Sequence, residues 1–150
     1  MNREELIAPE QYNLVSEFEK YANGTNMKAL IYISANGKRK EITYEKLVEL
    51  SNKAANVFTE NGLKKGDVVL VMVPRLIEAY VTYIGALQAG LVVIPSSEML
   101  RPADIDDRLS HSGAKEIVSY EAFSIQFENV EIWEGGQHFV IVVCVNSQLP

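Results

Sequence analysis

Val68-Val69-Leu70-Val71-Met72-Val73-Pro74 is an uncharged, β-prone run closed by proline, and after it come Leu76 to Ala89, Gly90, and Leu91-Val92-Val93-Ile94-Pro95. A strand covered on one face alternates apolar and polar residues. An unbroken apolar run belongs to a strand covered on both faces, which is the habit of parallel sheets. Leu76 to Ala89 has the length of a helix and meets its natural stop at Gly90. Strand, helix, strand at this spacing is a crossover unit rather than a hairpin.

Toward the C-terminus, Pro102 suits a first helical position, and Asp104, Asp106 and Asp107 complement the positive start of a helix that Gly113 ends. Ile117-Val118 then predicts a third parallel strand. The expected fold is a three-layer α/β unit on a parallel sheet with right-handed crossovers. Toward the N-terminus, the turn Lys65-Gly66-Asp67 precedes the first strand. Leu47, Leu50, Ala54 and Phe58, joined by Val48 and Ala55, make one face of a helix running to Asn61-Gly62. Thr43 is its expected N-cap, although Lys46 stands where a capping box would place Glu or Gln. Leu30–Ile33 and Glu41–Thr43 flank Asn36-Gly37, a dipeptide that favours the positive φ angles of a tight turn, so an N-terminal β-hairpin is expected, as an edge or a separate subsheet. Leu14, Val15, Phe18 and Tyr21 predict a short outer helix ending near Asn23-Gly24.

Past Tyr120 the pattern weakens. Phe123, Ile125, Phe127, Val130 and Ile132 fit a strand and turn or a poor helix, and both readings stay open. Glu134-Gly135-Gly136 introduces a change to the apolar Phe139–Val143. The expected organisation is a partial domain over residues 1–134 and a divergent tail over 135–150, as a truncated or frame-shifted product would have.

The 150 residues, 47% of them hydrophobic, are enough for one packed core. Fourteen basic against 20 acidic residues leave a net charge of −6, which argues against nonspecific nucleic-acid binding. The single cysteine, Cys144, excludes an intrachain disulfide, and in its apolar run it reads as a small buried side chain. No apolar run is long enough for a membrane span, and the acidic start is unlike a signal peptide, so a cytoplasmic protein is expected.

Open parallel sheets bind ligands beyond the carboxyl ends of their strands, which directs attention to the loops after Val73, Ile94 and Ser119. The glycines match neither of the usual phosphate-cradling patterns. Arg75 and Arg101 fall just beyond strands, where a cation could meet an anionic ligand, though surface arginines are common. Ser96-Ser97 could donate to a ligand, but serine after proline is ordinary turn chemistry. Asp104, Asp106 and Asp107 read as a solvated helix start, not a metal cluster, with Arg108 and His111 as i,i+4 partners. Neither His111 nor His138 has a nucleophile or ligand motif beside it.

Several segments together resemble the N-terminal part of the AMP-forming acyl-CoA synthetases. Ile42-Thr43-Tyr44-Glu45-Lys46-Leu47 is similar to the family's first core motif and Leu87-Gln88-Ala89-Gly90-Leu91-Val92-Val93-Ile94-Pro95 to its second. Gly66-Asp67-Val68-Val69 has the family's form, and Arg101–Ile105 with Arg108–Lys115 is most similar to acetyl and medium-chain acyl-CoA synthetases. The resemblance covers about Tyr12 to Ser119 and implies an incomplete portion of the adenylate-forming N-terminal domain. It implies a parent reaction in which a carboxylic acid is activated by ATP, with magnesium, to acyl-AMP and then passed to CoA, as in fatty acid metabolism. The family's phosphate loop, ribose-binding aspartate and catalytic lysine lie later than this sequence extends, so no catalytic residue is carried over and no cofactor is expected for this chain alone. The resemblance places Met99 and Arg101 on the CoA side, although Met99 stands where the medium-chain branch has a polar residue. An inactive fragment is therefore expected, self-associating or needing a complementing fragment. A noncatalytic α/β interaction module or subunit, and a flavodoxin-like or receiver-like domain, are the alternatives.

Overall fold

The computed structural model describes residues 7, 12–120 and 123. Residues 135–150, expected as a divergent tail, with His138 and Cys144, and the weakly patterned residues 124–134 lie outside the described residues. The elements run α1 (Val15–Glu19), β1 (Lys28–Ile33), β2 (Arg39–Thr43), α2 (Tyr44–Glu60), β3 (Val68–Met72), α3 (Ile77–Gln88), β4 (Val92–Pro95), α4 (Pro102–Ser112) and β5 (Glu116–Ser119).

The expected three-layer unit is present. Strands β4, β3 and β5 form a parallel sheet in that order, with Val69 opposite both Val93 and Glu116. β3 is central and its side chains alternate between two cores. Val69 and Val71 pack with Phe58 of α2 and with Ala79 and Ala86 of α3. Leu70 and Met72 pack with Ile105 and Leu109 of α4. Each such side chain, wholly removed from water, is worth about 1.5–3 kcal/mol. Because α3 and α4 cover opposite faces, the step from β3 to β4 and the return step from β4 to β5 share one hand.

The hairpin β1–β2 is a separate antiparallel sheet. Leu30 and Ile42, opposite one another, face inward to a third core with Val15, Leu47, Ile77 and Ile84. The turn differs from the tight two-residue form: Gly37 alone takes positive φ, +80°, and its N–H bonds Ser34 O at 2.9 Å while Ser34 N–H bonds Lys38 O at 2.9 Å. This is a three-residue loop in which glycine supplies the left-handed step, so Asn36 needs none. Helix α1 is also shorter than its apolar spacing predicts. Val15 is buried beneath it, whereas Leu14 and Tyr21 lie outside the helix and are exposed.

Helix ends follow the sequence closely. The Thr43 hydroxyl accepts the Lys46 N–H at 3.2 Å, so the cap forms without its acidic counterpart. After α3, Gly90 takes φ +75°, its N–H bonds Leu87 O at 3.0 Å, and Leu91 N–H bonds Ala86 O at 2.9 Å. These paired bonds satisfy carbonyls that a helix end leaves open and turn the chain straight into β4.

Helices α2 and α3 meet where Gly85 faces Ser51, Ala54 and Ala55. A Cβ at Gly85 would lie 2.7 Å from the Ala54 Cβ and 2.8 Å from the Ser51 carbonyl oxygen. Gly85→Ala gains about 1 kcal/mol of helix propensity but overpacks this crossing by about 1–3 kcal/mol. The expected result is a net loss of roughly 1 kcal/mol, read as a lower midpoint in urea with unchanged slope.

Candidate functional site

The three parallel strands end at one edge of the sheet, followed by residues 74–76, 96–101 and 120. From adjacent β3 and β4 the chain departs over opposite faces. Open sheets hold their ligands in the crevice that such a divergence leaves.

Each loop is built by local bonds. After β3, the Leu76 N–H bonds Pro74 O at 2.6 Å, and Arg75 is exposed. After β4, the Ser96 N–H remains in the sheet, bonding Val71 O at 2.9 Å. The Ser97 hydroxyl accepts the Met99 N–H at 3.1 Å, and Leu100 N–H bonds Ser97 O at 3.2 Å. Ser97 therefore does the turn work expected of it, while Ser96 extends the sheet by one bond. The turn drives Leu100 toward the α4 core and holds Met99 outward, where it is 85% exposed.

Arg101 follows at the N-cap of α4, its side chain exposed. One oxygen of Asp104 accepts both the Arg101 backbone N–H at 3.0 Å and its Nε at 3.2 Å. These two bonds, the backbone one foremost, hold the Asp104 carboxyl below the usual carboxylate range. Arg101 bonds Asp104 through Nε, and the two terminal nitrogens of its exposed guanidinium have the geometry to meet an anion.

Asp104 also walls an open groove of about 520 Å³ between β4 and α4, floored by Ile94 and Leu100 and bounded further by Asp107, Arg108 and His111. His111 Nδ1 lies 3.2 Å from the Asp107 carboxylate and 2.8 Å from its backbone oxygen, the expected i,i+4 pairing. Arg108 pairs with neither carboxylate within ion-pair distance. Among the described residues no group of three His, Cys, Asp or Glu side chains could hold a metal, and no helix is long and apolar enough to cross a membrane.

This arrangement has known counterparts. The AMP-binding enzyme family matches residues 18–148. The chain belongs to that family. It is 45% identical over 130 residues to YtcI of Bacillus subtilis strain 168, an uncharacterized acyl-CoA ligase, covering 87% of this chain and 25% of that protein. It is 33% identical over 119 residues to the human mitochondrial acyl-coenzyme A synthetase ACSM2B, covering 74% of this chain and 21% of the relative. Among solved structures, a Brucella canis acyl-CoA synthetase matches with a TM-score of 0.76 at 32% identity, over 80% of this chain and 22% of that one. The chain thus spans about a quarter of the length of the relatives it matches. The parallel sheet and its hairpin are the N-terminal part of an adenylate-forming synthetase domain.

Of the residues singled out by sequence, Arg75, Ser96, Met99 and Arg101 all stand at the carboxyl edge of β3 and β4. Asp106 and Asp107 lie along α4 instead. Sequence reasoning missed the tether from Asp104 to Arg101, because the acidic residues were read together as complements to the helix dipole. Their i,i+3 spacing was the available signal. Asp104→Ala frees both Arg101 donors, and amide hydrogen exchange at Arg101, Ala103 and Ile105 should quicken on the order of fivefold, the usual worth of a helix cap. The tether should also weaken as pH falls, since a carboxylate held below its ordinary range contributes only while ionised.

Proposed function

We propose that this chain is the N-terminal portion of an AMP-forming acyl-CoA synthetase. In the parent reaction a carboxylate oxygen of the acid attacks the α-phosphate of ATP, giving acyl-AMP and releasing pyrophosphate. The CoA thiol then attacks the acyl carbonyl, forming the thioester and releasing AMP. Magnesium accompanies the nucleotide. Family membership over residues 18–148, with acyl-CoA ligases and synthetases among the relatives, is the observation that carries this reading.

The role of these residues within that reaction is structural and, at one edge, ligand-facing. The loop from Ser96 to Arg101 faces CoA, with the Arg101 guanidinium offering charge to an anionic part of the ligand and Met99 offering apolar contact where a hydrogen bond cannot form. Acids of the fatty-acid kind suit the acyl-CoA relatives, and a cytoplasmic setting suits the bacterial relative and the single cysteine.

Activation of a carboxylate requires donors and cations aimed in advance at the phosphate charge that develops in the transition state. The glycines of this sequence form no phosphate-cradling motif, and the cations at the sheet edge, Arg75 and Arg101, stand on exposed loops. The 150 residues by themselves are therefore inactive, and a polypeptide bearing the remaining segments is the partner that would complete them. Incubated with ATP, magnesium and a panel of carboxylic acids, the purified chain should release no pyrophosphate above background. Release dependent on the acid would overturn the inactivity. In an assembled synthetase carrying this portion, Arg101→Ala should raise KM for CoA roughly three- to tenfold, the cost of one exposed charged contact, and leave acid-dependent pyrophosphate formation unchanged.

A further inference from the structure

Glu116 opens β5 at the amino edge of the sheet, opposite the ligand-facing loops, and is only 1% exposed. Among the described residues neither of its carboxylate oxygens has a hydrogen-bond partner, and the buried Nδ2 of Asn61, the C-cap residue of α2, has none either. Glu116 shares a strand face with Val118, which packs with Phe58, Val69 and Val71. Its carboxyl is thus placed toward the carboxyl end of α2, where open carbonyls carry partial negative charge.

The charged groups on the adjoining elements bring no relief. Asp67 and Lys115 satisfy one another at 2.7 Å, and Asp67 accepts the Lys64 N–H as well. Glu60, Lys64 and Lys65 are exposed to water, and β3 presents Val69 at the paired position. An ion buried without a partner is far costlier than a neutral carboxyl in the same place.

We propose that Glu116 is a pH-sensitive clasp: its neutral carboxyl lets β5 close against the end of α2, and its ionisation loosens that contact. Burial pushes the group up to about 7, and the Asn61 side-chain amide, near enough to favour the ionised form but without hydrogen-bond geometry to it, pulls the other way. A carboxyl raised in the folded state contributes fully below its unfolded value and loses that contribution as pH rises through its folded value. The carboxylates held low, Glu17, Glu41, Glu49, Asp67 and Asp104, titrate below this window.

Urea unfolding of the 150-residue chain between pH 5 and pH 8 tests the clasp, with Glu116→Gln as the comparison. Relative to that variant, the unfolding constant of the wild-type chain should rise by about two orders of magnitude across the window, following a shift from 4.5 to about 7. Amide exchange at residues 61–63 and 116–118 should quicken with it, once corrected for the intrinsic effect of pH. Equal pH slopes for the two proteins would overturn the proposal. Should Glu116→Gln fail to fold, carbon NMR of the wild-type Glu116 carboxyl decides the matter. Titration near 7 supports the clasp, and titration in the ordinary carboxylate range refutes it.

Discussion

The structure depends on the burial of one strand on both of its faces. β3 is flanked by a parallel partner on each edge and covered by α2 and α3 on one face and by α4 on the other. Val69, Leu70, Val71 and Met72 have no measurable exposure. A backbone placed that deep must satisfy its amides and carbonyls within the sheet. This fixes β4 and β5 as its neighbours and obliges the chain to return over the top of the sheet twice. The site follows from the same constraint: strands that run one way release their loops at one edge, and Arg75 and Arg101 both stand on that edge although they are 26 positions apart in the sequence.

The edge strands bear the cost of this arrangement differently. β4 is short, and Val92 is half exposed. In the parallel register Val92 and Ser96 donate inward to β3, so the alternate positions face outward. Pro95 occupies one of these and has no N–H to present. An uncharged strand edge is thereby left with little to offer a stray strand. β5 is buried throughout, and its entry is tied down by the ion pair between Lys115 and Asp67 and by the bond from Lys115 N–H to Val68 O. That closure traps Glu116 away from water.

The major elements were legible because their signals are one-dimensional. An unbroken apolar run, a helix-length segment and a terminating glycine identify β3, α3 and Gly90 without reference to any neighbour. The Thr43 cap and the Pro102 start are equally local. What escaped depends on contacts between distant residues. Glu116 beside Lys115 looks like a solvated charge pair in sequence, and only the register of β5 against β3 sends the lysine outward and the glutamate in. Gly85 looks like a weakness in a helix until α2 is laid against it at Ser51 and Ala54. Leu14 and Tyr21 fit a helical stripe, but α1 has room to bury only Val15 and part of Phe18. At the site, the position of Arg101 was visible and its restraint by Asp104 was not.

Arg101 illustrates what an exposed cation at a sheet edge has to offer a ligand and what it lacks for catalysis. Its Nε is committed to Asp104, which orients the base of the guanidinium plane, and a group oriented beforehand loses less entropy on meeting an anion. The rest of the group stays in water, where attraction between unit charges a few ångströms apart amounts to about 1 kcal/mol. Stabilising a transition state by many times that amount requires the same charge in a closed, water-poor setting together with further donors. An open groove of about 520 Å³ does not provide that setting. On the proposed reading, the loop after β4 would recognise an anion without itself supplying the setting that the chemistry needs.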